Sequence, residues 1–267
     1  SAGGLTLTQL ASWWIGREGL AGATPWLGAI YVALVALTTI FLWPDPESRG
    51  QLPDGAPPAP VTEPTSDGQL GATYEQAIQS RFFWTTTAAF FMTMAAQVGG
   101  IAHIANLGTD RIDRATGALA VLALALSSVI FRLIGGVVAS RVPLAGYTAA
   151  LAAGQGVTMI LLAESSSRTT FLISAFLMGA TVGNLLMLQA LVVADVFGVA
   201  AYARIFSLNQ LLVTMGVALG PFLLGALEDV ASYRLSYWVA GCLSIFGTVI
   251  FGFGGSAATA KQRLRPV

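Results

Sequence analysis

Hydrophobic and polar positions along this chain form long blocks, in which uncharged or nearly uncharged runs are separated by short polar stretches. Seven of the runs are each close to the roughly 20 residues that an α-helix needs to cross a bilayer. An earlier run, Ala2–Ile15, has only about half to three quarters of that length. Positions within the runs do not alternate as they do in a transmembrane barrel. The pattern therefore predicts an all-α, polytopic transmembrane helix bundle, with full spans at residues 26–43, 82–104, 118–139, 147–163, 171–193, 205–227 and 238–253.

The polar stretches divide the chain into four parts. Residues 44–72 hold seven of the eleven prolines together with several glycines and acidic residues, which is the composition of a disordered linker. The following TYEQAIQSRFFW predicts a short amphipathic helix, and stretches such as GREGLAGATP and NLGTDRIDRATG predict turns between spans. Seven positive residues against five favour a cytoplasmic linker. The expected parts are 1–43, the end of one helix and a full helix; 44–81, the linker with its amphipathic helix; 82–256, a six-helix transmembrane bundle; and 257–267, a basic cytoplasmic tail.

The composition argues against most soluble classes of protein. Of the 267 residues, 55% are hydrophobic and only 10% are charged, whereas a soluble domain has about 25% charged residues. The net charge is zero and there is no basic tract, which argues against a nucleic-acid partner. One histidine and one cysteine do not supply the ligands of an ordinary zinc site. We therefore expect an integral, multi-pass membrane protein with no metal, no cofactor and no enzymatic activity.

Arg132 stands alone in an otherwise uncharged run. It lies nine residues before Arg141, about 13 Å along a helix, which is too deep for snorkelling out of a hydrocarbon core about 30 Å thick. A guanidinium that faces lipid at this depth costs at least about 2.5–3.5 kcal/mol. A cavity that holds water or an anion is one solution, and pairing with helix carbonyls or a hidden acid is the other. No acid lies within the other spans of the six-helix bundle, which favours an anionic ligand or a partner outside this chain.

Other polar side chains within the runs are weaker candidates. His103, near the end of its span, could donate a hydrogen bond to a substrate or relay protons, or it could simply bind a loop. Amides in hydrocarbon need partners, and interhelical hydrogen bonds are the ordinary solution. The amides in apolar runs belong to Gln97, Gln155, Asn184, Gln189, Asn209 and Gln210.

Two glycine pairs and one proline concern how the helices pack or move. Gly179–Gly183 and Gly216–Gly220 are GxxxG pairs, for which close helix packing is the first interpretation. Pro221, next to the second pair, predicts a bend that would either help a bundle to rock or serve packing alone.

Several strings resemble the second half of a major facilitator superfamily transporter. PDPESRGQLPDG and TYEQAIQSRFFW are similar to segments on either side of the central loop in the monocarboxylate and oxalate–formate branch of that superfamily. RIFSLNQLLVTMGVALGPFLLGALEDVASY resembles the helix 11 signature of the branch and is the most specific match. The resemblance implies that the chain starts within helix 5, that residues 26–43 are helix 6, and that roughly four and a half N-terminal helices are missing.

The resemblance also implies roles for particular residues. Members of the branch carry a helix 8 arginine that meets the substrate carboxylate, at the position of Arg132. Relatives that carry dianions place a second cationic side chain in the helix that here holds the amides Asn209 and Gln210. Arg132 is then the one cationic side chain left to bind the substrate, which favours a monocarboxylate. Ser140 stands where relatives have the acid of a GxxxDR turn. The implied substrate-binding residues are Arg132, His103, Gln97, Asn184, Asn209 and Gln210; the implied conformational residues are Gly136, Ser140, Arg141, Gly216, Gly220 and Pro221.

Taken together, the residues and the resemblance predict a secondary active transporter of the plasma (inner) membrane. It would move a small organic anion by alternating access, with proton symport or anion exchange, and its partners would be the bilayer and an N-terminal helix bundle. The alternative is a non-transporting membrane scaffold or receptor-like half. A membrane-embedded enzyme is disfavoured, because the spans show no catalytic acid or metal cluster.

Overall fold

The computed structural model describes residues 2–41, 71–255 and 260. The chain divides into two compact units, Ser1–Asp67 and Gly68–Val267. The described residues form long helices with one isolated bridge and no strand, which confirms the all-α prediction. The helices are α1 (Ala2–Phe41) in the first unit and α2 (Tyr74–Gln79), α3 (Arg81–Arg111), α4 (Arg114–Ala139), α5 (Leu144–Glu164), α6 (Arg168–Phe197), α7 (Tyr202–Val230) and α8 (Tyr233–Phe253) in the second.

Seven segments of the described helices are long and apolar enough to cross a membrane, one for each full span that the sequence predicts. They are Ala21–Ile40 within α1 and the six helices α3 to α8. The proline-rich stretch predicted as a linker, residues 44–70, and nearly all of the predicted basic tail lie outside the described residues.

The first unit differs from the sequence prediction between Gly16 and Pro25. The prediction placed a polar turn there, whereas α1 runs from Ala2 to Phe41 and leaves the helical conformation only at Gly19 (φ 72°, ψ 171°). A glycine adopts this positive φ without steric cost, so one residue can redirect a helix where the sequence pattern indicated a whole loop. The adjoining span accordingly begins at Ala21 rather than at Trp26.

The predicted polar turns of the second unit are also mostly helical. The stretch NLGTDRIDRATG, for example, continues α3 to Arg111 and starts α4 at Arg114. Hydropathy marks only the part of a helix that lies in hydrocarbon, whereas the ends are set by capping side chains that satisfy the first free N–H groups. The capping side chain accepts from a backbone N–H three residues later at the starts of α3, α4, α6 and α8, where it belongs to Ser80, Asp113, Ser167 and Ser232.

Glycines set the closest helix contacts of the second unit. Helix α4 packs against α6, and α3 packs against α7 and α8, while α5 joins α6 and α8. At the first two crossings a Cβ added to a GxxxG glycine would overlap a carbonyl oxygen of the facing helix. The GxxxG pairs therefore act in close packing, as the first interpretation held. The facing carbonyls are those of Leu124 and Ser128 for Gly179 and Gly183, and those of Phe91 and Ala95 for Gly216 and Gly220.

Helix α2 packs against one end of the bundle. The Ala72 N–H donates to the Phe197 carbonyl at 2.8 Å, at the end of α6. The guanidinium of Arg204, in α7, lies 4.0 Å from the centre of the Tyr74 ring. Phe82 and Phe83, at the start of α3, form edge contacts with the Phe197 ring. This end of the bundle therefore has a hydrophobic cluster of its own, separate from the cluster that contains Phe171 and Tyr237.

Candidate functional site

Arg132 is the only arginine or lysine of α3 to α8 that lies more than three residues from a helix end. It precedes Ala139, the last residue of α4, by seven residues, about 10 Å along the axis. The residue is exposed on the surface of its unit. This position leaves the guanidinium well inside the predicted span and accessible from outside the bundle.

The hydrogen bonding of Arg132 is incomplete. Its Nε–H donates to the Gly183 carbonyl of α6 at 2.9 Å. The two terminal nitrogens make no hydrogen bond to any described residue, and the ion pairs among described residues, Arg204–Glu75 and Arg234–Glu164, do not include Arg132. Pairing with a helix carbonyl, the alternative left open by the sequence, therefore accounts for one of the five N–H groups and leaves four.

Small side chains surround Arg132 on its own helix. Ala125, Val129 and Gly136 lie one or two turns away on the same face. A Cβ added to Gly136 would meet nothing within 4 Å. The surface of α4 one turn after Arg132 is therefore open, while the guanidinium itself reaches across to the Gly183 carbonyl of α6.

Asn184 lies inside the crossing of α4 and α6 rather than in this open space. Its Nδ2 donates to the Phe131 carbonyl of α4 at 2.9 Å and to the Ala180 carbonyl of its own helix at 2.9 Å. The side chain is buried, and its Oδ1 occupies the place that a Cβ on Gly135 would need. Gly135 carried no signal in the sequence that set it apart from its neighbour Gly136.

The amides predicted in α6 and α7 bind one another. Gln189 Nε2 donates to Asn209 Oδ1 at 2.7 Å and to Gln210 Oε1 at 3.1 Å. Asn209 Nδ2 in turn donates to the Thr87 hydroxyl of α3 at 2.8 Å. Gln189 and Asn209 are buried, so this network joins three helices, as the packing interpretation of the amides expected. Thr87 was missed because a threonine in an apolar run usually bonds only its own helix.

The remaining two amides behave differently. Gln155 Nε2 donates to the Thr93 carbonyl at 2.9 Å and to the Ser244 hydroxyl at 3.2 Å, joining α5 to α3 and α8. Gln97 is 2% exposed, and its Oε1 has no hydrogen-bond partner among the described residues. Gln97 therefore keeps an acceptor without a partner inside the bundle.

His103 contacts α7 and not a loop. Its Nε2 lies 3.0 Å from the Pro221 carbonyl oxygen, and because a carbonyl only accepts, Nε2 carries the proton. The Nδ1 atom is buried without a hydrogen-bond partner among the described residues. Helix α7 runs unbroken through Pro221, and the bend predicted there stays a prediction.

The residues predicted to act in gating lie in two places. Ser140 is the C-cap of α4, and its hydroxyl donates to the Val137 carbonyl at 2.8 Å. Arg141 follows it and is exposed. Gly216, Gly220 and Pro221 lie instead in α7, along its contact with α3 and His103. A role of either group in conformational change stays a prediction.

The end of the bundle where α4 and α8 begin, opposite to the end at Ser140, carries charged side chains with hydrogen-bond partners, which the sequence did not single out. Arg234 binds Glu164 through two hydrogen bonds of 2.8 Å, and the Trp238 Nε1–H donates to the same carboxylate at 2.6 Å. At the start of α4, the Thr116 N–H donates to Asp113 at 2.7 Å and lowers the pKa of that carboxyl. These charged groups have hydrogen-bond partners within the bundle. The two terminal nitrogens of Arg132, called its free terminal edge below, have none among the described residues.

Comparison with known proteins gives one family. The family model described as Major Facilitator Superfamily matches residues 104–265, which is more than half of the 267 residues. The match runs from the later part of α3 through α8 and includes Arg132 and its contacts in α6. A search among curated proteins found no match for this chain.

Proposed function

Since the chain belongs to the Major Facilitator Superfamily of multi-pass membrane transporters, we propose that it forms the part of a secondary transporter that binds a small organic anion, a monocarboxylate. Transport would proceed by alternating access, with proton symport or anion exchange, across the plasma (inner) membrane. The substrate would lie between this six-helix bundle and a second bundle, as in transporters built from repeats.

The free terminal edge of Arg132 is the observation that carries this proposal. The two terminal nitrogens, Nη1 and Nη2, form a planar fork that matches the two oxygens of a carboxylate. A single fork binds a single carboxylate. The amides of Gln189, Asn209 and Gln210 bind one another and bring no second positive charge. This favours a monocarboxylate over a dicarboxylate.

Replacement of Arg132 by lysine tests the proposal, because lysine keeps the charge but not the fork. The loss of one charge-assisted hydrogen bond, about 1.5–3 kcal/mol, should lower kcat/KM for uptake roughly 10- to 150-fold. Uptake of lactate, pyruvate, formate and oxalate would be measured in proteoliposomes with the protein from the complete open reading frame.

Arg114→Lys is the matched control, since Arg114 begins the same helix and lies at its exposed end. It should transport as the unaltered protein does. If Arg132→Lys also transports all four anions with unchanged kinetics, Arg132 does not bind the substrate. Absence of uptake of every anion by the unaltered protein would instead favour the scaffold alternative.

A further inference from the structure

Two neighbouring residues of α6 hold two neighbouring residues of α4. The Gly183 carbonyl accepts from Arg132 Nε at 2.9 Å, and Asn184 Nδ2 donates to the carbonyl of Phe131 at 2.9 Å. The second hydrogen bond therefore ties the backbone of α4 immediately before the arginine. Both bonds cross the same tight helix contact, where Gly183 faces the Ser128 carbonyl.

Asn184 fits this contact only because residue 135 is a glycine. The side chain is 1% exposed, and a Cβ on Gly135 would overlap its amide oxygen and carbon. A buried amide donor without a partner is costly, so the bond to Phe131 constrains where the side chain lies. Gly135 and Asn184 therefore act as one pair.

From these contacts we propose that Asn184 is a positioning residue for Arg132 and does not touch the substrate. By fixing α4 at Phe131, it keeps Arg132 Nε on the Gly183 carbonyl. Because Nε is then engaged, a carboxylate cannot form two hydrogen bonds with Nε and its neighbouring terminal nitrogen. It binds instead to the two terminal nitrogens, Nη1 and Nη2. The proposal rests on the anion site of the preceding section and specifies how that site is built.

Uptake kinetics supply the first test, again on the protein from the complete open reading frame. Asn184→Ala removes one hydrogen bond that positions the guanidinium, and should raise KM by up to about tenfold with little change in kcat per transporter. Gly135→Ala should raise KM in the same way, because the new methyl group displaces the amide. The KM of the double variant should be no higher than that of Asn184→Ala alone, because the Asn184 amide atoms that the new methyl group would meet are absent from both variants.

Gly146→Ala is the control, because a Cβ there meets nothing within 4 Å and Gly146 lies in α5, away from Arg132. It should leave KM unchanged. If Asn184→Ala lowers kcat and leaves KM unaltered, or if the effects of the Gly135 and Asn184 variants simply add, the positioning role is wrong.

A spectroscopic test separates this inference from the proposed function. In protein labelled with ¹⁵N-arginine, the Nε–H signal that disappears in Arg132→Lys identifies Arg132. The Arg132 Nε proton should exchange slowly with water in the unaltered protein, because it is donated to the Gly183 carbonyl, and rapidly in Asn184→Ala.

The Nε–H signal of Arg234, which donates to Glu164, reports whether the variant is folded. If Asn184→Ala does not fold, Asn184→Ser is measured in its place. Slow Arg132 exchange in a folded Asn184 variant overturns the inference. Rapid exchange combined with normal transport by Arg132→Lys supports the inference and refutes the anion-binding function.

Discussion

Arg132 lies seven residues, about 10 Å, before the end of α4, and at the centre of a span a guanidinium that faces lipid costs about 2.5–3.5 kcal/mol. Its hydrogen bond to the Gly183 carbonyl offsets part of this cost, since hydrogen bonds to charged groups contribute about 1.5–3 kcal/mol. Four N–H groups still need water or an anion. The sequence predicted the depth and the need for a partner, but it could not assign Gly183, because a backbone carbonyl has no residue-type signal.

Asp113 allows a prediction about stability and pH at the scale of one residue. Its pKa is lowered mainly by the hydrogen bond from the Thr116 N–H, so the ionised cap stabilises the start of α4. A lowered folded-state pKa gives stability that is present at neutral pH and is lost as the pH falls through that pKa. Asp113→Ala should therefore lower the Tm in detergent at pH 7, and the difference should shrink below about pH 4.

Asp110→Ala serves as the control for this measurement, because Asp110 lies in the last turn of α3 and not at a cap. It should change the Tm less than Asp113→Ala does at pH 7. A Tm difference for Asp113→Ala that stays constant from neutral to acid pH would contradict the role of the ionised cap.

At the scale of helices, sequence spacing predicted which glycines allow close approach but not which helices meet. The pair Gly179–Gly183 faces α4, and Gly216–Gly220 faces α3, two contacts between residues far apart in the chain. The amides illustrate the same limit. Asn184 and Asn209 are both buried asparagines in apolar helices, yet one binds the backbone beside Arg132 and the other joins a side-chain network. The composition of the surrounding run does not distinguish them.

Gly179→Ala tests the crossing of α4 and α6. The added methyl group would overlap the Leu124 carbonyl, so the helices must shift, at a cost of about 1–3 kcal/mol for overpacking. The Tm in detergent should fall clearly below that of the unaltered protein. Gly146→Ala, where the methyl group meets open space, should not lower it. Equal Tm values for the two variants would show that the crossing is looser than the structure indicates.

For the whole molecule, the proposed substrate site needs a second bundle opposite Arg132. Residues 1–267 reconstituted alone should therefore show no saturable uptake of a monocarboxylate. Liposomes with the unaltered residues 1–267, with Arg132→Lys and without protein would be compared at equal protein-to-lipid ratio. Saturable uptake by residues 1–267 that Arg132→Lys lowers by roughly 10- to 150-fold would show that a second bundle is not needed.

Hydropathy and composition alone determined that this is an all-α membrane protein, and the described helices contain one apolar segment for each of the seven predicted spans. In hydrocarbon a long apolar segment that does not belong to a closed barrel must satisfy its backbone hydrogen bonds within a helix. Hydropathy and composition also placed an isolated charge at Arg132, since so few charges occur in such runs. Helix ends were displaced by several residues, because capping bonds and not hydropathy set them. Only the tertiary structure decided that Gly183 holds one edge of the guanidinium, that Asn184 packs against Gly135, and that His103 binds α7. Such contacts depend on how helices far apart in sequence cross, which the periodicity within each helix does not encode.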